Sequence, residues 1–308
     1  HLSVVSNASV SLSYFGNNYG YYGGGLYSHA VLKLIITNSM FIQNKAHRGA
    51  AVTIFAKQYT YGNLVRIENT EFVKNIASDG HGGGCYISLI TTCLFINASF
   101  RHNYANHGYY GAGLYSHDVL KLIITNSMFI QNKAHRGAAV TIFAKQYTYG
   151  NLVRIENTEF VKNIASDGHG GGCYISLITT CLFINASFRH NYANQAGAAI
   201  FIEKTKLSII HNTKFLANSA RYGGGITMTG FNSLLKIENT KFINNNATTG
   251  GGCYLENLKG YLFVNLSFEG NIAKIAGGAV YLEFHIDMSL VLIADNPNSM
   301  SYIRTVIL

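Results

Sequence analysis

Tryptophan is absent from this 308-residue chain, proline occurs once, at Pro297, and only 12% of the residues are charged. No apolar run reaches the roughly 18 to 20 residues that a membrane-spanning helix requires, so no membrane span is expected. The 14 acidic residues include no adjacent Asp pair and no carboxylates at a strand spacing of two. Glycosidic catalysis needs two carboxylates about 5 to 10 Å apart across a groove, and Glu68 with Glu71, like their copies Glu156 and Glu159, flank a turn where solvation is the simpler reading. The 23 Lys and Arg residues give a net charge of +9 but stand singly. Scattered charge argues against a nucleic-acid groove, which needs clustered phosphate contacts, and leaves a weak attraction for acidic polysaccharide. The chain has no initiator Met and no leader pattern, and its last residues, SYIRTVIL, carry no polar cap. It therefore reads as a segment of a longer chain or a processed product.

What is present is glycine (32), tyrosine (21) and phenylalanine (18), with 48% hydrophobic residues. Such a mix suits strands and tight turns, because β-branched and aromatic side chains pack well on pleated surfaces, and there is ample material for a core. Residues 18–105 return as 106–193 almost unchanged, differing at Tyr19/His107, Gly24/Ala112 and Ala30/Asp118, and residues 194–308 diverge. Inside these blocks the pattern Asn-x-x-Phe-x-x-Asn-x-Ala occurs nine times, its Phe at 41, 72, 100, 129, 160, 188, 215, 242 and 268. Each copy is followed by a small-residue triplet and a strand of period two. Short strands cut by glycine turns every 26 to 31 residues, with no helical stretch, predict an all-β parallel solenoid of about ten coils along the whole chain. Near 4.8 Å per coil the rod would be on the order of 50 Å long.

The sequence FVKNIASDGHGGGCYIS, present at 72–88 and 160–176, then reads as a coil corner. A phosphate loop would require a following helix and a Lys-Ser/Thr pair. Cys85 and Cys93, like Cys173 and Cys181, fall in inward columns of one coil. They read as small buried hydrophobes, and a disulfide within each pair stays open as an alternative. Asp79 and His81, with Asp167 and His169, invite a metal or general-base reading, against which polar turn residues are the simpler account. Nothing points to a catalytic residue, a bound metal or a cofactor. The second motif asparagines, Asn44, Asn75, Asn103, Asn132, Asn163, Asn191, Asn218, Asn245 and Asn271, are expected to form a ladder of stacked amides. Asn-x-Ser/Thr sequons stand at Asn7, Asn97, Asn185, Asn246 and Asn265. Asn97, Asn185 and Asn265 are also first motif asparagines, and an inward asparagine cannot carry a glycan, so Asn246 and then Asn7 lead as glycosylation candidates. Tyr21, Tyr22, Tyr109 and Tyr110 in a glycine-rich loop, and Tyr59 with its copy Tyr147 in the longest loop, are candidate contact aromatics.

The triplets GGGLY, GGGCY, GAAIF and GGAVY, paired with FIQN, FVKN, FRHN, FLAN, FINN and FEGN, resemble the repeats of chlamydial polymorphic outer membrane proteins and of similar surface proteins of protists and invertebrates. The resemblance spans nearly the whole chain. It implies a single-stranded right-handed parallel β-helix of the pectin-lyase-like type, acting in adhesion or as surface structure. GGG or GAA in place of GGA, the lack of a C-terminal barrel and the sequons point to a eukaryotic extracellular relative. The expected function is a non-catalytic structural or adhesive repeat protein, secreted or on the cell surface, self-associating end to end or side by side into a filament. A carbohydrate-binding protein, or a lyase or hydrolase acting on polysaccharide, is the alternative.

Overall fold

The computed structural model describes residues 2–3, 6–56, 62–106, 110–144, 150–231, 233–283 and 290–294, and among them every regular element is a strand. One coil shows the pattern. Its strands are Cys85–Ser88, Thr92–Ile96, Ser99–Arg101 and Tyr104–Ala105, which contribute to four faces here named A, B, C and D. Each strand pairs in parallel with its equivalents one coil before and after: Cys85 with Val52 and Leu114, Cys93 with Val65 and Leu122, Phe100 with Phe72 and Phe129. Sheets A and B run through eleven strands and sheet C through ten, while face D holds a seven-stranded and a two-stranded sheet. The fold is a parallel β-solenoid of about ten turns. Periodicity alone showed only two strands per coil, because C and D strands of two to four residues are too short to display alternation.

Single residues in the left-handed backbone region make the corners. At the B–C corner the residue is the first motif asparagine, and all nine, from Asn38 to Asn265, have φ between 47° and 52°. Asn tolerates this region better than other residues with a Cβ. At the D–A corner it is the first glycine of the triplet, again left-handed in all ten copies from Gly23 to Gly277. The second and third triplet positions accept Ala, as Ala50, Ala51, Ala138 and Ala139 show, so only the first glycine answers a conformational demand. Coil length varies mainly between A and B: three residues separate Cys85–Ser88 from Thr92–Ile96, whereas eight separate Val52–Phe55 from Leu64–Glu68.

Inside, equivalent side chains stack. The motif phenylalanines from Phe41 to Phe268, extended by Phe15, form one column of near-parallel rings with centroids 4.5 to 5.3 Å apart. Each such contact is worth about 0.5–1.5 kcal/mol beyond the area buried. Beside it runs the asparagine ladder, which starts one coil earlier than the motif count, at Asn18. Each amide of the ladder from Asn44 to Asn245 donates to the Oδ1 of the next coil and to a phenylalanine carbonyl, as Asn75 does to Asn103 and Phe41. All donors and acceptors of a buried amide are thereby used. The cysteines occupy the inward columns expected of them, and all five are buried free thiols. Burial pushes the Cys85, Cys93, Cys173, Cys181 and Cys253 thiols well above their ordinary range, leaving a negligible thiolate fraction for nucleophilic attack.

Candidate functional site

The outward side of sheet A carries an aromatic column. Register places Tyr27, Thr53, Tyr86, Tyr115, Thr141, Tyr174, Phe201, Thr227, Tyr254 and Tyr281 in one line along the rod. Neighbouring rings stack at 5.2 to 5.4 Å, as in Tyr86–Tyr115, Tyr174–Phe201 and Tyr254–Tyr281. A second outward line two residues on adds His29 stacked on Phe55 and His117 on Phe143. Wherever threonine interrupts the first line, a ring is missing. Above Thr141 this leaves a pocket of about 160 Å³ walled by Tyr115 and Tyr174, with His81, Tyr110 and Phe143 around it, room for about five waters.

Residues preceding the corner glycine lean over this line. His81 stacks on Tyr115 with centroids 4.3 Å apart, and its Nδ1 accepts the backbone N–H of Tyr110 at 3.0 Å. Burial, with Arg48 and then His117 adding to it, lowers its pKa from 6.5 to about 4, so the imidazole is neutral at neutral pH. The Arg136 guanidinium lies over the Tyr110 ring and donates to its hydroxyl at 3.2 Å.

The chain changes where the second block ends. Between the motif asparagine and the corner glycine the junction of the two blocks reads YANHGYYG (104–111), and the end of the second block, running into the divergent coils, reads YANQAG (192–197), two residues shorter. Ala196 therefore stands where Tyr110 stood. His169, the copy of His81, keeps its aromatic neighbour (Phe201, 4.3 Å), but its buried Nδ1 has no partner. In the vacated space is a cleft of about 440 Å³ lined by His169, Asn194, Gln195, Arg221 and Tyr222, within the usual range of ligand pockets. The Arg221 guanidinium sits over the Tyr222 ring, 5.2 Å from its centroid. Burial, followed by Arg136, lowers the His169 pKa to about 4. Sequence reasoning missed this cleft, although the two-residue deletion was visible.

The other candidates fall as follows. Asp79 does not meet His81; it pairs with His47 of the preceding coil at 2.6 Å, and Asp167 pairs likewise with His135 at 3.1 Å. Among the described residues no cluster of His, Cys, Asp or Glu could hold a metal. Glu71 and Glu159 are bound to Arg101 and Arg189, and Glu68 and Glu156 to Arg66 and Arg154, so these carboxylates are paired across or along strands as well as solvated. The expectation that Asn97, Asn185 and Asn265 point inward is corrected: all three are exposed. The left-handed corner turns the first asparagine outward and leaves the inner ladder to the second. These amides form a separate outer ladder, Asn97 donating to Asn69 at 2.7 Å and Asn185 to Asn157 at 3.1 Å. Asn7 and Asn246 are also exposed. Tyr21 and Tyr22 are exposed and in edge contact, Tyr110 is half-buried in the aromatic face, and Tyr59, Tyr109 and Tyr147 lie outside the described residues.

The geometry is that of a repeat rod built for stacking, with one aromatic side. Residues 265–283 match the model of the Chlamydia polymorphic membrane protein repeat. Metabotropic glutamate receptor-like protein R of Dictyostelium discoideum is 31% identical over 159 residues, which are 52% of this chain and 9% of that protein. Among solved structures, the catalytic domain of a GH87 alpha-1,3-glucanase in complex with nigerose aligns over 92% of this chain and 64% of its own, with 12% identity and a TM-score of 0.32. Two variants of that domain give 0.29 and 0.31. At such scores the likeness says nothing about chemistry.

Proposed function

We propose that this chain is a non-catalytic structural rod of the cell surface or extracellular space, and that the outward side of sheet A makes adhesive contacts with glycans. The aromatic line from Tyr27 to Tyr281 is the observation that carries it. Its rings stand at coil spacing, Tyr27, Tyr86, Tyr254 and Tyr281 half-buried and Tyr115, Tyr174 and Phe201 buried between them, and the half-buried ones offer sugar rings flat apolar surface. The polymorphic membrane protein repeat and the receptor-like relative support a surface location. The sequons fit the same setting. On the B–C corner Asn97, Asn185 and Asn265 lie away from sheet A, and a glycosylated amide keeps one N–H for its neighbour in the outer ladder. Such rods would also associate end to end or side by side.

Beads coated with the chain, secreted from a eukaryotic host, are expected to adhere to a panel of immobilised glycans. Adhesion should fall when the half-buried Tyr27, Tyr86 and Tyr281 of this line are replaced by Ser, and peptide mapping of the same material should find sugar at Asn97, Asn185 and Asn265. Adhesion no greater than that of an unrelated β-rod would overturn the reading. Release of reducing ends from a polysaccharide would replace it with an enzymatic one.

A further inference from the structure

The cleft beside His169 has a composition that the rest of the aromatic side lacks. Arg221 makes no ion pair among the described residues. Nearby carboxylates are already engaged: Asp167 with His135, and Glu203 by the hydroxyls of Tyr174 at 2.7 Å and Ser176 at 2.9 Å. The cleft therefore presents one uncompensated cation. Around it stand groups of both hydrogen-bonding senses. Asn194 accepts the Tyr192 hydroxyl at Oδ1, 3.3 Å away, leaving its N–H₂ group to donate. Gln195 spends one N–H on the Asp167 carbonyl at 3.0 Å, leaving its Oε1 to accept. The Nδ1 of His169, deprived of the N–H that Tyr110 gives to His81, serves either sense according to tautomer.

An acceptor-only anion such as sulfate would find no use for Gln195 Oε1. A neutral sugar would leave Arg221 without a counter-charge. A sugar acid satisfies both, its carboxylate meeting the planar guanidinium and its hydroxyls giving and taking hydrogen bonds. We propose that the cleft formed by His169, Asn194, Gln195, Arg221 and Tyr222 binds one acidic sugar residue of a glycan, with the carboxylate on Arg221 and the hydroxyls on Asn194, Gln195 and His169. This rests on the glycan-contact reading above and places its selectivity at one point of the rod. The two-residue deletion lies where the second block meets the divergent coils, so His169 faces a cleft there while its copy His81 faces Tyr110.

The test uses the whole chain, with a tetramer of galacturonic acid and the neutral cellotetraose as probes, read by calorimetry and saturation-transfer NMR. The acidic tetramer is expected to bind more tightly than the neutral one. Arg221→Gln should weaken it about tenfold or more, the loss expected for a hydrogen bond to a charged group, and should leave the neutral tetramer unchanged. A second variant replaces Gln195 and Ala196 by the His-Gly-Tyr-Tyr sequence found at 107–110. It rebuilds the arrangement found around His81 and Tyr110, so it should keep the melting temperature while abolishing binding of the acidic tetramer. Equal binding of the two tetramers, or acidic binding that survives both variants, overturns the cleft site. If both tetramers bind wild type and variants alike, the cleft site falls and the adhesive face stands; if wild type binds no glycan, both fall.

Discussion

Replacing Asn132 by Leu tests whether the inner amide ladder holds the coils in register. Asn132 is fully buried, and its side chain makes four hydrogen bonds. It donates to the Phe100 carbonyl and to Asn163 Oδ1, each at 3.0 Å, and accepts from the backbone N–H of Asn103 at 3.1 Å and from Asn103 Nδ2 at 3.0 Å. Leu keeps the branching and the number of side-chain heavy atoms but is bulkier than the amide, so overpacking would add about 1–3 kcal/mol. Two buried N–H groups of Asn103 lose their acceptor, and at about 1–3 kcal/mol each the cost is about 2–6 kcal/mol. Asn163 Oδ1 is spared, because the backbone N–H of residue 132 still reaches it at 3.0 Å. Urea unfolding would read the total. Hydrogen exchange resolved by peptide would show the loss centred on the coils around residues 100–132, since a solenoid transmits stability through nearest neighbours. Asn126→Gly is the control, an exposed left-handed corner that glycine adopts freely, with an expected change within about 0.5 kcal/mol. An Asn132→Leu protein as stable as the control would refute the claim that amide satisfaction, and not volume alone, stabilises this column.

Gly82→Ala should cost more than Gly83→Ala in the same unfolding assay. Gly82 has φ 74° and a Cβ there would meet the Cys85 carbonyl oxygen at 2.6 Å, a clash added to a left-handed strain of roughly 1–2 kcal/mol; a Cβ at Gly83 would meet the Tyr104 and Ala112 carbonyl oxygens at 2.5 and 2.7 Å without that strain, and equal costs would count against the corner argument. Ser116→Ala is expected to raise stability by about 1 kcal/mol, because its hydroxyl is buried without a partner between Ile87 and Ile142 in the inward line of sheet A; a fall in melting temperature would mean that the hydroxyl is bonded in solution. The lowered pKa values of His81 and His169 give a pH dependence of defined sign. The unfolded chain takes up these protons near 6.5 and the folded one only near 4, so their stabilising contribution is complete above about pH 6.5 and is lost as pH falls towards 4. His169→Phe, which removes one of the two groups and no hydrogen bond of Nδ1, should flatten the melting-temperature profile across that window; an unchanged profile would show that His169 is not buried neutral.

Residues whose role is local were readable. The second-asparagine ladder and the buried cysteines follow from period-two alternation and the spacing of nine motif copies, because a parallel stack sets like residue upon like. The first asparagine was misplaced for a physical reason: alternation counts residues along a strand, and a single left-handed residue at a corner reverses which way the next side chain points. That reversal put Asn97, Asn185 and Asn265 on the surface and opened the B–C corner to modification. The partner of Asp79 was not legible for a related reason, since it lies two residues from His81 in the chain and yet faces His47 across a coil boundary.

By itself the sequence determined that this chain stacks coils. Its repeat, its low charge and its corner glycines leave no alternative way to bury the inner face, and these are properties of each unit. Which side chains meet on the outside was decided only by the tertiary structure. Outward neighbours come from coils 26 to 31 residues apart, and their contacts depend on loop length at the corner between them. Two residues fewer before Gly197 are nearly invisible as a change in repeat length, yet in three dimensions they withdraw a tyrosine, leave a histidine nitrogen without its donor and open a cleft beside an arginine.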